Sequence, residues 1–135
     1  MLQEGELLPP SQAATALNVS IRVGSGSGSP YTLMTLDPDA PDPATPTLRS
    51  ILHWLVTNIP SGGQASQGTE VAPWRGPNPP SGTHRYVFLL YEQPGRGPLH
   101  VDAPTQRTNF SARSFAAEYD LGEPCAATWF LSSKQ

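Results

Sequence analysis

Prolines and glycines recur so densely along this chain that no long regular helix fits between them. The 135 residues include 16 prolines and 12 glycines, well above ordinary usage. Proline lacks a backbone donor and clashes with the preceding helical turn, so helices of many turns are excluded. The sequence therefore predicts short strands joined by long, stiff loops, in a single domain over residues 1–135.

Charge and cysteine content exclude several classes of function. The net charge is −3 and no basic run occurs, so we expect no direct binding to nucleic acid. We expect no cofactor and no transmembrane segment, since no apolar stretch approaches the ~20 residues of a membrane span. Cys125 is the only cysteine, so no intrachain disulfide can form. We therefore expect a cytoplasmic location, extending to the nucleus, and interpret Cys125 as a small buried residue.

Apolar runs predict about five strands. Residues 18–23 alternate polar and apolar, which is typical of a half-buried strand. The run 50–59 is apolar apart from His53, which indicates a strand buried on both faces. Residues 61–82 are predicted to form a long loop because they hold four prolines. The remaining strands are predicted over 31–36, 85–92 and 126–131.

One short helix is predicted over residues 111–119. Asn109 or Ser111 is placed to cap it, Phe115 and Tyr119 fall on one face, and Gly122 follows as a stop signal. No regular alternation of strands and helices occurs, so a doubly wound parallel sheet is not expected. The sequence predicts a mainly-β fold, a sandwich of antiparallel or mixed sheets with one or two short helices.

Two acids and two histidines carry the chemistry. Asp37 and Asp39 directly follow a predicted strand, and the prolines beside them hold the backbone stiff. Ordinary turn chemistry explains these acids equally well. His53 lies inside an apolar strand, where it is either a functional group or a hydrogen-bonded core residue. His84 lies at the mouth of a third strand, or else on an exposed loop.

These four side chains converge if their strands are neighbours in the sheet. A pair of histidines can hold a phosphate or a carboxylate. A neighbouring carboxylate would orient an imidazole and raise its affinity for a proton. The alternative is a site for acid–base hydrolysis, or a metal site of two histidines and one carboxylate.

An ordered series of motifs resembles the phosphatidylethanolamine-binding protein family, covering nearly the whole chain. The matching segments are DPDAP at 37–41, LRSILHW at 48–54 and GTHRY at 82–86, with further matches at 8–12, 55–60 and 109–124. The chain looks most similar to the plant-type branch, which includes the flowering-time regulators and the seed-expressed group.

The resemblance implies a two-sheet β-sandwich and a small pocket for phosphate-like anions, such as the phosphatidylethanolamine head group. It implies a regulatory or scaffolding module that acts through a protein partner (a kinase, a protease or a transcription complex) rather than an enzyme. The ligand-binding residues that it implies are Asp37, Asp39, His53 and His84, lined by Pro41, Leu48, Ile51, Asn78, Pro79, Pro80 and Tyr86.

The chain departs from the family pattern at several positions. The family begins one or two strands earlier, so we expect an N-terminally incomplete domain, and an inactive truncated member is one alternative. Ile51 stands where flowering promoters carry tyrosine and their antagonists histidine. Gln106-Arg107-Thr108 stands where promoters carry tryptophan and glutamine. These departures predict that a flowering-type signalling role does not carry over.

Overall fold

Six strands form one mixed sheet in the computed structural model, which describes residues 6–7, 29–45, 47–77, 79, 82–95 and 98–133. The order across the sheet is β1-β6-β5-β2-β3-β4. Every neighbouring pair is antiparallel except β1 with β6, which is parallel. The elements are β1 (Glu6–Leu7), β2 (Tyr31–Asp37), β3 (Ile51–Ile59), β4 (Thr69–Ala72), β5 (Thr83–Glu92), α1 (Ala112–Glu118) and β6 (Ala126–Ser133).

The predicted mainly-β fold with a mixed sheet and a short helix is confirmed. The strands predicted at 31–36, 50–59, 85–92 and 126–131 correspond to β2, β3, β5 and β6. The strand predicted over 18–23 lies outside the described residues. All six described strands belong to the same sheet, so a second sheet is not found in that part of the chain.

The prediction of an unbroken loop over 61–82 is wrong. A short 3-10 helix at Ala65–Gln67 and the strand β4 lie within it. β4 has four residues, of which two are exposed, so its apolar pattern is too short to stand out. Gly68 permits the pairing with β3, since a Cβ there would come within 2.6 Å of the Thr57 carbonyl oxygen.

Both faces of the sheet are buried, because apolar side chains on alternate residues enter two separate clusters. On β2, Leu33 packs with Trp54 and Phe130 on one face, whereas Met34 packs with Phe115 on the other. β3 is buried along almost its entire length, as predicted. Helix α1 covers the second face through Phe115 and Ala116.

Helix α1 begins where its cap chemistry predicts. The Ser111 hydroxyl accepts a hydrogen bond from the Ser114 N–H at 3.1 Å, so Ser111 is the cap and Asn109 is not. Gly122 follows the helix with φ 70°. No helix among the described residues is long and apolar enough to cross a membrane. The interpretation of Cys125 as buried is wrong: it is exposed, just before the exposed first residues of β6.

Gln93 ties β2, β3 and the following loop together in the interior. It is 2% exposed, and its carbonyl accepts hydrogen bonds from the Thr32 hydroxyl at 2.7 Å and the Asn58 N–H at 2.8 Å. Its amide donates to the Asn58 side-chain oxygen at 2.9 Å. Asn58 itself holds both backbone groups of Leu99. A buried network of polar groups stabilises the fold only while every member has its hydrogen-bond partners.

Replacing Gln93 with leucine should lower the free energy of unfolding by about 2–4 kcal/mol, because the change leaves buried groups of Thr32 and Asn58 without partners. Thr32→Val is the matched control, since it removes a single hydrogen bond and its donor, and should cost less than about 1.5 kcal/mol. Urea denaturation monitored by tryptophan fluorescence measures both. Equal losses would show that the hydrogen bonds to Asn58 contribute nothing.

Candidate functional site

Three strand ends meet at one end of the sheet. β2 ends at Asp37, β3 begins at Ile51 and β5 begins at Thr83. Because β2 runs antiparallel to both of its neighbours, its last residues lie beside their first ones. Asp37 pairs directly with Ile51 across the sheet. The strands that carry Asp37, His53 and His84 are neighbours in the sheet. This is the condition under which the sequence predicted that these side chains converge.

The carboxylate of Asp37 is buried and fully engaged. One oxygen accepts a hydrogen bond from His84 Nδ1 at 2.7 Å, and the other accepts from the Asp39 N–H at 2.9 Å. The side chains of His84 and Asp37 are 0% and 4% exposed. Because a carboxylate only accepts, the proton of His84 lies on Nδ1, and the contact orients the ring.

Asp39 is neutralised by arginine. Arg85 donates three hydrogen bonds to its carboxylate, from Nε at 3.0 Å, from Nη2 at 2.8 Å and from the backbone N–H at 2.8 Å. Arg49 lies 3.8 Å from the same carboxylate and donates to the Pro38 carbonyl. Burial opposes ionisation of Asp39, but the hydrogen bonds and charge of Arg85 outweigh it and lower the pKa of this carboxyl. Asp39 therefore stays charged and paired.

His53 occupies a bulge in β3. Trp54 pairs with Thr35 and Leu52 pairs with Leu36, so His53 is the extra residue between two paired positions. A bulge of this kind turns a side chain to a new direction. His53 Nδ1 donates to the Arg75 carbonyl at 2.5 Å, and the ring meets Tyr86 edge-on at 5.1 Å.

Burial lowers the pKa of His53 below its ordinary value of 6.5. The Arg75 carbonyl and the Asp37 charge oppose this shift without overcoming it, while the charges of Arg107 and Arg75 add to it. His53 is therefore neutral at neutral pH, with Nε2 as its acceptor nitrogen. Asp37 raises the proton affinity of His53, as expected of a nearby carboxylate, but desolvation outweighs this attraction, so the net pKa is lowered.

Tyr86 links the two histidines. Its ring stacks on His84 at 6.4 Å and on Phe130 at 5.2 Å, besides its edge-on contact with His53. Ser132 pairs with His84 in the adjacent strand, and its buried hydroxyl has no hydrogen-bond partner within the described part of the chain. Aromatic rings thus form the floor beneath the polar groups.

Gly82 lets the two acid- and histidine-bearing segments approach each other. It has φ 74°, a conformation that glycine adopts without strain. A Cβ at this position would lie 2.8 Å from the Pro43 ring, so any larger residue would push the loop after Asp37 away from the start of β5. The glycine of the GTHRY motif is therefore needed for packing.

Of the other predicted lining residues, Ile51 pairs with Asp37 across the sheet. Pro41, Leu48 and Ile51 are half-buried and Pro79 is buried, whereas Asn78 and Pro80 lie outside the described residues. The Leu48 N–H donates to the Ala40 carbonyl at 3.0 Å, which joins the two motif loops.

Sequence reasoning missed the arginines. Arg85 belongs to the GTHRY motif. Because this motif was already expected from the sequence to lie near Asp37 and Asp39, the positive charge of Arg85 could have predicted its ion pair with Asp39. Arg75 contacts His53 through its backbone carbonyl, which no side-chain pattern reveals, and its charge also acts on the His53 imidazole. Arg107 donates to the carbonyls of Leu52 and His53 at 3.2 and 3.3 Å and thereby fastens a distant loop behind the site.

Access to the polar groups is narrow. Asp37, His53, His84 and Tyr86 are 3%, 5%, 0% and 1% exposed. Within the described ranges, no group of three or more His, Cys, Asp and Glu side chains is arranged to hold a metal ion. The arrangement is thus a set of buried, hydrogen-bonded polar groups above aromatic rings.

Comparison with known proteins gives consistent results. The family model described as "Phosphatidylethanolamine-binding protein" matches residues 1–130. Protein MOTHER of FT and TFL1 homolog 2 of Oryza sativa subsp. japonica is 44% identical over 119 residues, covering 85% of this chain and 67% of that protein. Protein FLOWERING LOCUS T of Arabidopsis thaliana is 43% identical over 128 residues, covering 95% and 71%.

The fold is also similar to solved structures. A carboxypeptidase Y inhibitor, solved in complex with its cognate proteinase, superposes with a TM-score of 0.81 at 21% identity, covering 97% of this chain and 76% of that one. At this identity the likeness concerns the fold.

Acid should destabilise the protein through His53. The unfolded state binds a proton near pH 6.5, whereas the folded state binds it only at lower pH, so stability is complete above 6.5 and falls below it. We expect the free energy of unfolding to drop between pH 7.5 and 5.5, by no more than about 1.4 kcal/mol from this group. The lowered pKa of Asp39 acts at still lower pH and does not interfere.

His53→Gln should flatten this dependence in urea titrations at the two pH values, whereas the exposed His100, replaced by glutamine, is the matched control and should preserve it. An unchanged slope in His53→Gln would show that burial of this imidazole does not disfavour its charge.

Proposed function

Because the chain belongs to the phosphatidylethanolamine-binding protein family, we propose that it binds phosphate-type anions, among them phospholipid head groups, in a small pocket around Asp37, His53 and His84. The pocket serves a regulatory or scaffolding module that acts through protein partners and not by catalysis. The observation that carries the proposal is the buried hydrogen bond of 2.7 Å between Asp37 and His84, at the sheet end that also holds His53.

Two carboxylates lie at this end of the sheet, but neighbouring arginines and hydrogen bonds compensate for their charge, so an anion can bind there. Each Asp37 oxygen already accepts a hydrogen bond, and Arg85 and Arg49 together outweigh the charge of Asp39. Hydrogen bonds to both oxygens stabilise the charge of Asp37 and partly screen it from a nearby anion. When His53 takes up a proton, its imidazolium supplies a charge-assisted donor to a phosphate oxygen.

Proton uptake should accompany binding. His53 is neutral in the unliganded protein. The lone pair on its unprotonated ring nitrogen repels an anion and cannot donate a hydrogen bond to it. A bound dianion favours the charged imidazole, so it raises the proton affinity that burial lowers. Affinity for an anion is therefore expected to increase as the pH falls toward 6.5.

Entry of a ligand should be slow. The polar groups are at most 5% exposed, so an anion reaches them through a narrow opening or after a local movement. An association that needs such a movement proceeds below the usual rates for a preformed surface.

The partner class in this proposal is a kinase, a protease or a transcription complex, and the location is the cytoplasm, extending to the nucleus. The carboxypeptidase Y inhibitor, similar in fold, binds a proteinase, which supports a role for this fold as a protein-binding module. The single cysteine of the chain supports a reducing compartment. The hydrolase alternative and the inactive member have no specific observation in their favour.

Sulfate is the sharpest probe, because it remains a dianion across the relevant pH range. Isothermal titration should show sulfate binding that tightens by up to about tenfold per pH unit between pH 8 and 6.5, with proton uptake visible as buffer-dependent heat. His53→Gln should weaken binding and abolish the pH dependence, whereas His100→Gln should retain both.

Phosphorylethanolamine, compared with ethanolamine and sulfate, tests the head group. We expect phosphorylethanolamine to raise the melting temperature and ethanolamine alone to leave it unchanged. Folded protein that shows neither heat nor a melting shift with sulfate and phosphorylethanolamine would refute the pocket.

A further inference from the structure

A concavity lies between helix α1 and the loop 102–110, and Asp37, Asp39, His53 and His84 are not among its lining residues. It encloses about 470 Å³, within the range of ligand-binding sites. The side of α1 that faces it carries Ser111, Ser114, Phe115 and Glu118, which have the i, i+3, i+4, i+7 spacing of one helical face. We call this concavity the α1 groove.

Aromatic rings line the α1 groove in a row. Phe110 and Phe115 have ring centroids 5.8 Å apart, and Phe115 and Tyr119 have centroids 4.8 Å apart. At these distances each ring contacts the next, and the neighbouring planes are tilted by 44° and 46°. Phe110 and Tyr119 are half-buried, which leaves aromatic surface in contact with solvent.

The charge of the α1 groove is negative. Asp102 and Glu118 line it, and no lysine, arginine or histidine is found among its lining residues. A hydrogen bond from the Asp102 N–H opposes the shift, yet partial burial and the carboxylates of Glu118 and Asp102 raise the pKa of Tyr119. The nearby cation Arg107 points the other way, into the carbonyls of Leu52, His53 and Pro73.

The loop wall of the groove is fixed in place. The Asn109 and Phe110 N–H groups donate to the carbonyls of Leu48 and Ser50 at 3.1 and 2.8 Å. The Leu52 N–H donates to the Arg107 carbonyl at 2.8 Å. Backbone hydrogen bonds to the start of β3 therefore hold the groove open before any ligand binds, which reduces the entropy lost on binding.

We propose that the α1 groove binds a segment of a partner protein in which an arginine or lysine stands next to an apolar side chain. The apolar side chain packs on the row of rings, and the cation lies over a ring edge or face between Asp102 and Glu118. This surface gives the protein partner of the proposed function a defined chemistry, and it does not depend on the anion pocket.

Other occupants fit the groove less well. An anionic membrane surface is repelled by the same two carboxylates. A small quaternary ammonium ion is recognised by aromatic rings that surround it, whereas the rings of each neighbouring pair here contact each other and leave no room for a cation between them.

The test uses an N-acetylated, C-amidated hexapeptide with two arginines flanking a leucine, titrated into the full chain and followed by amide NMR shifts. We expect saturable shifts at Gln106, Ser114 and Glu118. Replacing both arginines of the peptide with glutamine should weaken binding at least about tenfold, as expected for the loss of charge-assisted contacts. Asp102→Asn with Glu118→Gln should weaken it comparably.

Asp120→Asn is the matched control, because it removes an exposed carboxylate just beyond the same helix, outside the groove lining. This variant should bind the arginine peptide as the parent does, and equal weakening would overturn the proposal in favour of a diffuse charge effect. Equal binding of the glutamine peptide would also overturn it. Tetramethylammonium that binds the groove more tightly than the peptide would reassign it to a small cation.

The experiments on the α1 groove and on the anion pocket can each refute one proposal without affecting the other. Sulfate and phosphorylethanolamine report on His53, whereas the peptide reports on amides between residues 102 and 119. Loss of peptide binding with retained sulfate binding refutes the groove alone, and the reverse result refutes the pocket alone.

Discussion

The hydrogen bond between the Asp37 carboxylate and the His84 imidazole joins the end of β2 to the start of β5, where almost no solvent reaches either group. A buried carboxylate without partners would be strongly unfavourable, so this pair specifies how the two strands meet. Asp39, two residues further on, connects the same two segments, because its carboxylate accepts hydrogen bonds from Arg85. The remaining features of the site, including the stacked rings and the close approach at Gly82, depend on this alignment.

The sequence predicted the strands well because apolar runs and prolines act locally. β2, β3 and β5 were visible as apolar runs, and the Ser111 cap was visible as a polar residue before a helical pattern. β4 was not, since a strand of four residues, two of them exposed, carries too little apolar pattern, and these residues form a strand only by pairing with β3. Tertiary pairing decides such segments, and no local rule detects them.

The candidate site was predictable only in part. The motifs identified which side chains matter, and the strand order brought Asp37, His53 and His84 together. The bulge that reorients His53 was not predictable, because it depends on the register with β2. The lowered pKa of His53 was also beyond the sequence, since burial and nearby charges compete and only the packed environment decides which prevails.

The loop 102–110 performs two tasks with alternate residues. Its backbone and Arg107 are committed to β3, while the side chains of Gln106 and Thr108 face the α1 groove. Positions that face outward can therefore change from one relative to another at little cost to folding, because the inward contacts are made by main-chain atoms and one arginine. A partner segment that binds the α1 groove, as proposed, would thus meet side chains that can be replaced without altering the contacts behind His53.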